Sequence, residues 1–498
     1  MRAHVAIAEL AAGCWPGAYW GQQGACRQMK RLSKSMSELA TDDTSRHVAG
    51  QARNTDKVLM VVATMARLAV GLLTFIILAR YLGPSQFGII ALAIAYTTFA
   101  AVLTDFGFAV STLRLASADP ARSSSIIGDA IAAKALLTIP VTVIGAIIAF
   151  ITLPVEWLPV FVLVHIGSFA NSFGELLLIA ARARRRFVLE AKLVISSSVL
   201  MLLVFGSVTA ITRDLHWAAA AFMVTRVLYL IMIRVVLRHW LEPVSAMGRS
   251  LTQLRKAMAL ARGFAFDQIL TVLATQADLL LFSTMLSVHQ FGVYQAGARL
   301  AQVSVSFAPI LSNVYLPGLS AAAINEDDAG FRDGSKRLSV EFAVLSLLGG
   351  AAFLFLGPIA SPLIYGSGYD GLSLLWPGLA AFVILRFGAG SFGIQLAALG
   401  HVRTRIASSL ASTAVLAVLT FSLLAKYQLH VAALLLAAGA VPSISILGIM
   451  LARDSRASVA VRWTLPILLV AAAGIILARH DRAASADVGE RQRQEHPA

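Results

Sequence analysis

Four arginines, Arg67, Arg226, Arg299 and Arg386, stand where a helix would cross the middle of a lipid bilayer. Each lies inside an apolar run of about 20 residues, the length a helix needs to span a hydrocarbon core about 30 Å thick. A charged side chain at that depth costs at least about 2.5–3.5 kcal/mol on insertion scales, so it normally faces a protein interior or a wet cavity. Guanidinium groups take phosphate and carboxylate through a planar fork of N–H donors. Arginines from separate helices that converge on one aqueous chamber would make an anion site. The competing account pairs each of them with an acid on another helix.

The acids are fewer. Asp105, Glu175, Asp267 and Glu341 fall toward the ends of apolar runs, and Asp278 lies deeper. Asp278 and Arg299 flank a turn near residues 288–289 at similar separations, so at 1.5 Å per residue they reach the same depth. A buried pair between them is expected. It reads either as a clamp that keeps both charges tolerable, or as a switch in which a substrate anion or a proton takes one partner and frees the other. Asp278, Asp105, Glu175 and His165 are the candidates for coupling or gating. Histidine titrates near neutral pH, but a lone one serves equally as an interhelical hydrogen-bond partner. Arg182, Arg184, Arg185 and Arg186 form a cluster at the end of one apolar run. Such a cluster fixes orientation and meets anionic head groups, at about 1 kcal/mol per residue; it could equally hold a lipid pyrophosphate before it moves into the bundle.

These side chains need long apolar helices to carry them. The chain of 498 residues is 58% hydrophobic and 13% charged, with mean hydropathy +0.77, against about 25% charged in an ordinary soluble domain. The membrane class follows. Candidate spans run from Val58–Ala79 to Val431–Leu451, twelve in all, with Phe87–Leu113 the second and Phe291–Ala322 the eighth. A further stretch, Val459–Leu477, is interrupted by Arg462 and Pro466 and either crosses or lies at the interface. Basic residues crowd alternate loops, while the remaining loops between the twelve spans hold Arg80, Arg213 and Lys426. Because basic loops stay in the cytoplasm, the N-terminus is placed inside.

The expected fold is therefore all-α, a polytopic membrane protein of two pseudo-symmetric six-helix lobes around a central cavity, with one or two extra C-terminal helices. Its parts are a cytoplasmic, mostly disordered tail (1–56), an N-lobe (57–237), a cytoplasmic linker (238–263), a C-lobe (264–452), and an extra span with a polar tail (453–498). Met29 and Met36 are alternative starts. A short repeat supports the duplication: LGPSQFG (Leu82–Gly88) joins the first two spans and LSVHQFG (Leu286–Gly292) joins spans seven and eight. Two such halves with even span number would be related by an axis along the membrane normal; the alternative is two unrelated hairpin turns.

Other chemistry is missing from the sequence. The net charge of +15 is spread over short loop runs without a nucleic-acid motif, so no nucleic-acid partner is expected. The two cysteines, Cys14 and Cys26, both lie in the tail and cannot build a disulfide framework or a zinc site. GSGYDG (Gly366–Gly371) matches a dinucleotide pattern but has no strand before it. No P-loop or zinc-protease motif occurs, and no metal or cofactor is expected. Nor is any loop outside the membrane long enough to form a catalytic domain, which disfavours an enzyme.

The stretch Leu78–Ser117 resembles the first hairpin of Wzx-type polysaccharide flippases, members of the multidrug/oligosaccharidyl-lipid/polysaccharide exporter superfamily. The elements are Ala79–Pro84 (ARYLGP), Phe87-Gly88, and Asp105-Phe106-Gly107 followed by Arg114. The resemblance implies a transporter in the bacterial inner membrane, not an enzyme. It would move an oligosaccharide repeat unit linked to undecaprenyl pyrophosphate from the cytoplasmic to the periplasmic leaflet by alternating access. Its partners would be that lipid, the bilayer, and a polysaccharide polymerase and export proteins. Cation-lined cavities go with acidic sugars in that family. The alternatives are a drug/cation antiporter of the same superfamily, which would want an acidic cavity, and a membrane polymerase.

Overall fold

A computed structural model describes residues 43–119, 121–241, 250–456 and 459–495. The expectation of a disordered tail falls, for residues 1–42, outside the described residues. The chain divides into two compact units, Met1–Leu59 and Met60–Ala498. In the first, the described part is helical from Asp43 onward. Between Asp43 and Asp56 there is no proline and a single glycine, Gly50, so little there opposes a helix. Everything below concerns the second unit.

The described chain folds into helices, as a lipid-embedded backbone must when it can satisfy its polar groups only internally. Those of ten residues or more are α1 (Asp43–Asp105), α2 (Phe108–Ala118), α3 (Ser123–Thr152), α4 (Leu158–Ala183), α5 (Phe187–Leu200), α6 (Leu215–Val236), α7 (Leu251–Ser283), α8 (Val288–Val305), α9 (Phe307–Ile324), α10 (Asp328–Ala351), α11 (Trp376–Ala398), α12 (Val402–Leu419), α13 (Leu429–Ala452) and α14 (Val459–Glu495). Ten helical stretches among the described residues are long and apolar enough to cross a bilayer. The first of these, Val62–Asp105, is two crossing lengths: Gly83 is non-helical at φ 70° and ψ 170°. The Phe75 and Phe87 rings meet edge-on at 6.1 Å, which shows the chain turning back on itself there.

Three expected boundaries move. The second span does not run unbroken to Leu113, because Phe106 and Gly107 both take positive φ and separate α1 from α2. The run Phe291–Ala322 is not one helix; it breaks at Ser306, which ends α8 and begins α9. The linker 238–263 is shorter, because α7 starts at Leu251. There the Ser250 hydroxyl accepts from the Gln253 N–H and the Gln253 side chain reaches back to the Ser250 N–H, two orphan donors of the helix start satisfied at once. The helix α8 is absent from the ten apolar crossings. It carries Arg299 and Gln302, which line a cavity.

The repeated turns are helix starts of one design. In the second copy Ser287 caps α8 and Gln290 closes the capping box. In the first copy the equivalent residues are Gly83, at positive φ, and Gln86, with Pro84 at the first helical position, where a missing N–H costs nothing. The two turns also meet. A Cβ on Gly88 would overlap the Val288 carbonyl, and a Cβ on Gly292 would overlap that of Pro84. Each glycine thus lies against the first helical residue of the opposite turn, as a two-fold relation between lobes requires.

Around this turn end the lobes share one core, with Leu78, Phe87, Phe291, Tyr294, Leu372 and Trp376 buried in a single cluster. Polar ties cross it: the Tyr369 hydroxyl donates to the Ala79 carbonyl at 2.7 Å, and Arg80 donates to the Leu363 carbonyl at 2.6 Å. Tyr369 belongs to the GSGYDG loop, whose Gly366 and Gly368 have positive φ. That loop therefore binds the other lobe and not a nucleotide. In the C-lobe, α11 is the buried centre, packed by α9, α10, α13 and α14. The stretch Val459–Leu477 is helical within α14 and docks on the C-lobe through buried Val461, Leu468 and Ala472.

Candidate functional site

A cavity of about 820 Å³ lies between the lobes, and Arg67, Arg226, Arg299 and Arg386 all line it. They come from α1, α6, α8 and α11, so four helices, two per lobe, bring guanidinium groups to one hollow. A fifth arginine, Arg405 of α12, lines the same cavity. Among the described lining residues Glu175 is the sole carboxylate. The hollow is therefore strongly cationic, and five planar forks of N–H donors suit phosphate or carboxylate oxygens.

Glu175 organises the N-lobe side. Its carboxylate lies 3.8 Å from Arg67 and 3.4 Å from Arg182, and the Tyr229 hydroxyl donates to it at 3.1 Å. Arg226 donates to Asn171 Oδ1 at 2.9 Å and lies over the Phe222 ring at 5.3 Å; its Nε is buried without a hydrogen-bond partner. On the C-lobe side Arg299 stacks over the Phe75 ring of α1 at 4.1 Å, a cation–π contact between the lobes. Arg386 forms no ion pair among the described residues.

The expected Asp278–Arg299 pair does not form. Asp278 is buried at 4% exposure and accepts from the Tyr294 hydroxyl at 2.6 Å. The depth argument holds, but the azimuth does not. Arg299 lies five residues beyond Tyr294, and at 3.6 residues per turn that places it about 140° around α8 from the side chain that faces α7. Asp278 therefore does not tune Arg299.

The other candidates disperse. Asp105 binds Lys134 at 2.6 Å and accepts from Gln268 of α7 at 3.2 Å, while Lys134 also donates to the Ser172 hydroxyl at 2.6 Å. This locus ties α1, α3 and α4 to α7, and Gly107 beside it presses on Phe264 and Ala265 so closely that a Cβ would overlap them. Lys134 is fully buried. Lys134→Met should cost about 3–5 kcal/mol by stranding Asp105, and Lys134→Met with Asp105→Leu should recover most of it, read as thermal unfolding of the purified protein. His165 meets Thr142 at 3.0 Å and the Phe169 ring at 4.3 Å, and neither His165 nor Asp105 lines the cavity.

The basic cluster after α4 is not one surface. Arg182 turns inward, 2.6 Å from Glu190 as well as near Glu175, so its donors are engaged within the protein. Arg184 lies over Trp240 at 5.4 Å and donates to the Ala180 carbonyl at 3.3 Å. Arg185 and Arg186 are exposed and remain available to head groups. Arg405 was missed as a cavity residue because its place beside a loop made it a topology signal. The available cue was its spacing from Ser408 and Ser409, which share its face of α12 and line the cavity with it.

Fold and site together define a polytopic helical membrane protein with a cationic cavity between two lobes. The family model for the polysaccharide biosynthesis protein family matches residues 77–373, more than half of the chain, and the chain belongs to that family. No curated protein matches it. Among solved structures it is similar to the lipid II flippase MurJ in an inward closed conformation, at TM-score 0.63 and 14% identity over 84% of this chain and 93% of that one. It is similar to the eukaryotic MATE transporter AtDTX14, at TM-score 0.53 and 14% identity over 84% and 99%. An inward-facing multidrug resistance MATE transporter of the MOP superfamily gives 0.52 and 12% over 83% and 98%. At these identities the likeness speaks for a shared fold.

Proposed function

We propose that the protein is a flippase of the multidrug/oligosaccharidyl-lipid/polysaccharide exporter superfamily, of the Wzx type. It moves an acidic oligosaccharide repeat unit, linked to undecaprenyl pyrophosphate, from the cytoplasmic to the periplasmic leaflet of the bacterial inner membrane for exopolysaccharide synthesis. The N-terminus is cytoplasmic, and a polymerase and export proteins take the product onward. The observation that carries this reading is the cavity itself, with five arginines and one glutamate between two lobes of a polysaccharide-biosynthesis fold. The same charge balance argues against a cation antiporter. Purified protein in liposomes tests it: labelled lipid-linked saccharide should change leaflet without growing longer. Chain lengthening would mark a polymerase, and no movement of the saccharide would overturn the reading.

Asp278 remains the candidate for coupling to an ion. Asp278→Asn keeps an oxygen to accept the Tyr294 hydroxyl and should leave folding intact. Any part of transport driven by an ion gradient should then disappear, checked by flux with and without an imposed gradient.

A further inference from the structure

The five arginines are not equivalent, because their counter-charges sit on one side. On the N-lobe wall Glu175 already engages Arg67 at 3.8 Å, and Arg226 donates to Asn171 at 2.9 Å. On the C-lobe wall Arg299, Arg386 and Arg405 have no carboxylate within ion-pair distance among the described residues. Asp278 lies behind that wall with its oxygen taken by Tyr294. Arg386, Gly390 and Gly393 follow one another along one face of α11 that lines the cavity, and the Arg405 Nε lies 3.9 Å from where a Cβ of Gly393 would be. Seven residues of helix rise about 10 Å, within the joint reach of two arginine side chains closing on a diphosphate. Ser409 and Ser443 line the same wall and offer hydroxyl donors.

We propose that the cavity divides the work. Arg386 and Arg405 form the primary site for the diphosphate, and Glu175 acts as an internal anion that holds Arg67, leaving the N-lobe wall with Arg226 as its one cavity arginine without an ion pair among the described residues. This rests on the flippase reading, since it assigns that substrate's diphosphate to one wall. A diphosphate needs at least two bidentate cations whose donors are free, and only the C-lobe wall supplies them before Glu175 moves. Glu175 is then a specificity-determining residue. By holding Arg67, it prevents the cavity from gripping anions on both walls at once, which would trap the substrate between the lobes.

The test is calorimetric titration of the purified full chain with inorganic pyrophosphate. Wild type should bind one equivalent. Arg386→Gln with Arg405→Gln should weaken binding more than tenfold, and Arg67→Gln should change it less than threefold. Glu175→Gln should add a second equivalent, a gain that a misfolded variant cannot imitate. The proposal is overturned if Arg67→Gln abolishes binding while the C-lobe variant retains it, or if Glu175→Gln leaves the stoichiometry at one. The same preparations in liposomes separate the two readings. Transport of lipid-linked saccharide without the predicted binding pattern overturns the division and leaves the flippase. The predicted pattern without any transport supports the divided anion site and removes the flippase.

Discussion

Arg386→Ala and Arg299→Ala should each cut transport of the lipid-linked saccharide at least tenfold while the protein still inserts and purifies as a folded monodisperse species. The size follows from what is removed. A hydrogen bond to a charged group is worth about 1.5–3 kcal/mol, and each 1.4 kcal/mol is tenfold in affinity. The selectivity follows from what is left behind. Arg386 has no ion-pair partner, so its removal strands no directly paired carboxylate, and the Asp278 oxygen stays bonded to Tyr294. Arg299 gives up its stacking on Phe75, a contact worth about 0.5–2 kcal/mol, too little to unfold the bundle. Arginine-to-lysine variants should restore part of the rate, because a point charge replaces the fork. Normal saccharide export by both alanine variants would remove the cavity as the transport route.

What could be read in advance divides along a physical line. Depth is one-dimensional and follows from position within an apolar run, so the sequence placed four arginines at one level and the structure brings all four to one cavity. Azimuth and partner choice depend on how helices rotate and pack. Asp278 and Arg299 match in depth, yet α8 turns Tyr294, not Arg299, toward Asp278. Glu175 gathers Arg67, Arg182 and Tyr229 from three places in the chain, and no spacing rule predicts that convergence. Arg405 shows a third limit, since a loop arginine satisfies the positive-inside pattern whether it faces water or a cavity. The helix starts at Ser250 and Ser287 were legible, because serine followed three residues later by glutamine is a capping signal. Apolarity alone does not mark these starts, because a capping serine and glutamine are polar.

Gly88→Ala should unseal the turn end and reduce transport by at least tenfold. The added Cβ would overlap the Val288 carbonyl, and main chain cannot rotate away as a side chain can, so one helix must shift. Overpacking of this kind costs about 1–3 kcal/mol. The strain falls on the arrangement in which the two turns pack together, so it biases the population toward a separated one. Once the helices part, the Tyr369–Ala79 and Arg80–Leu363 hydrogen bonds lose their geometry together. Gly292→Ala should act alike, since it meets the Pro84 carbonyl from the other lobe. Gly145→Ala, which points into open space, should do nothing. The readout is a thiol at Leu82, 7% exposed in the closed bundle, introduced as Leu82→Cys after replacing Cys14 and Cys26 with serine. A membrane-impermeant maleimide should label it slowly in the Gly88 background and faster once Gly88→Ala is added. Equal labelling and equal transport in the two backgrounds would mean that the paired glycines only pack the helices. Faster labelling with lost transport would tie the duplicated turn to the closing of one end of the cavity, because a two-lobe carrier cannot keep its substrate from leaking back unless that end seals.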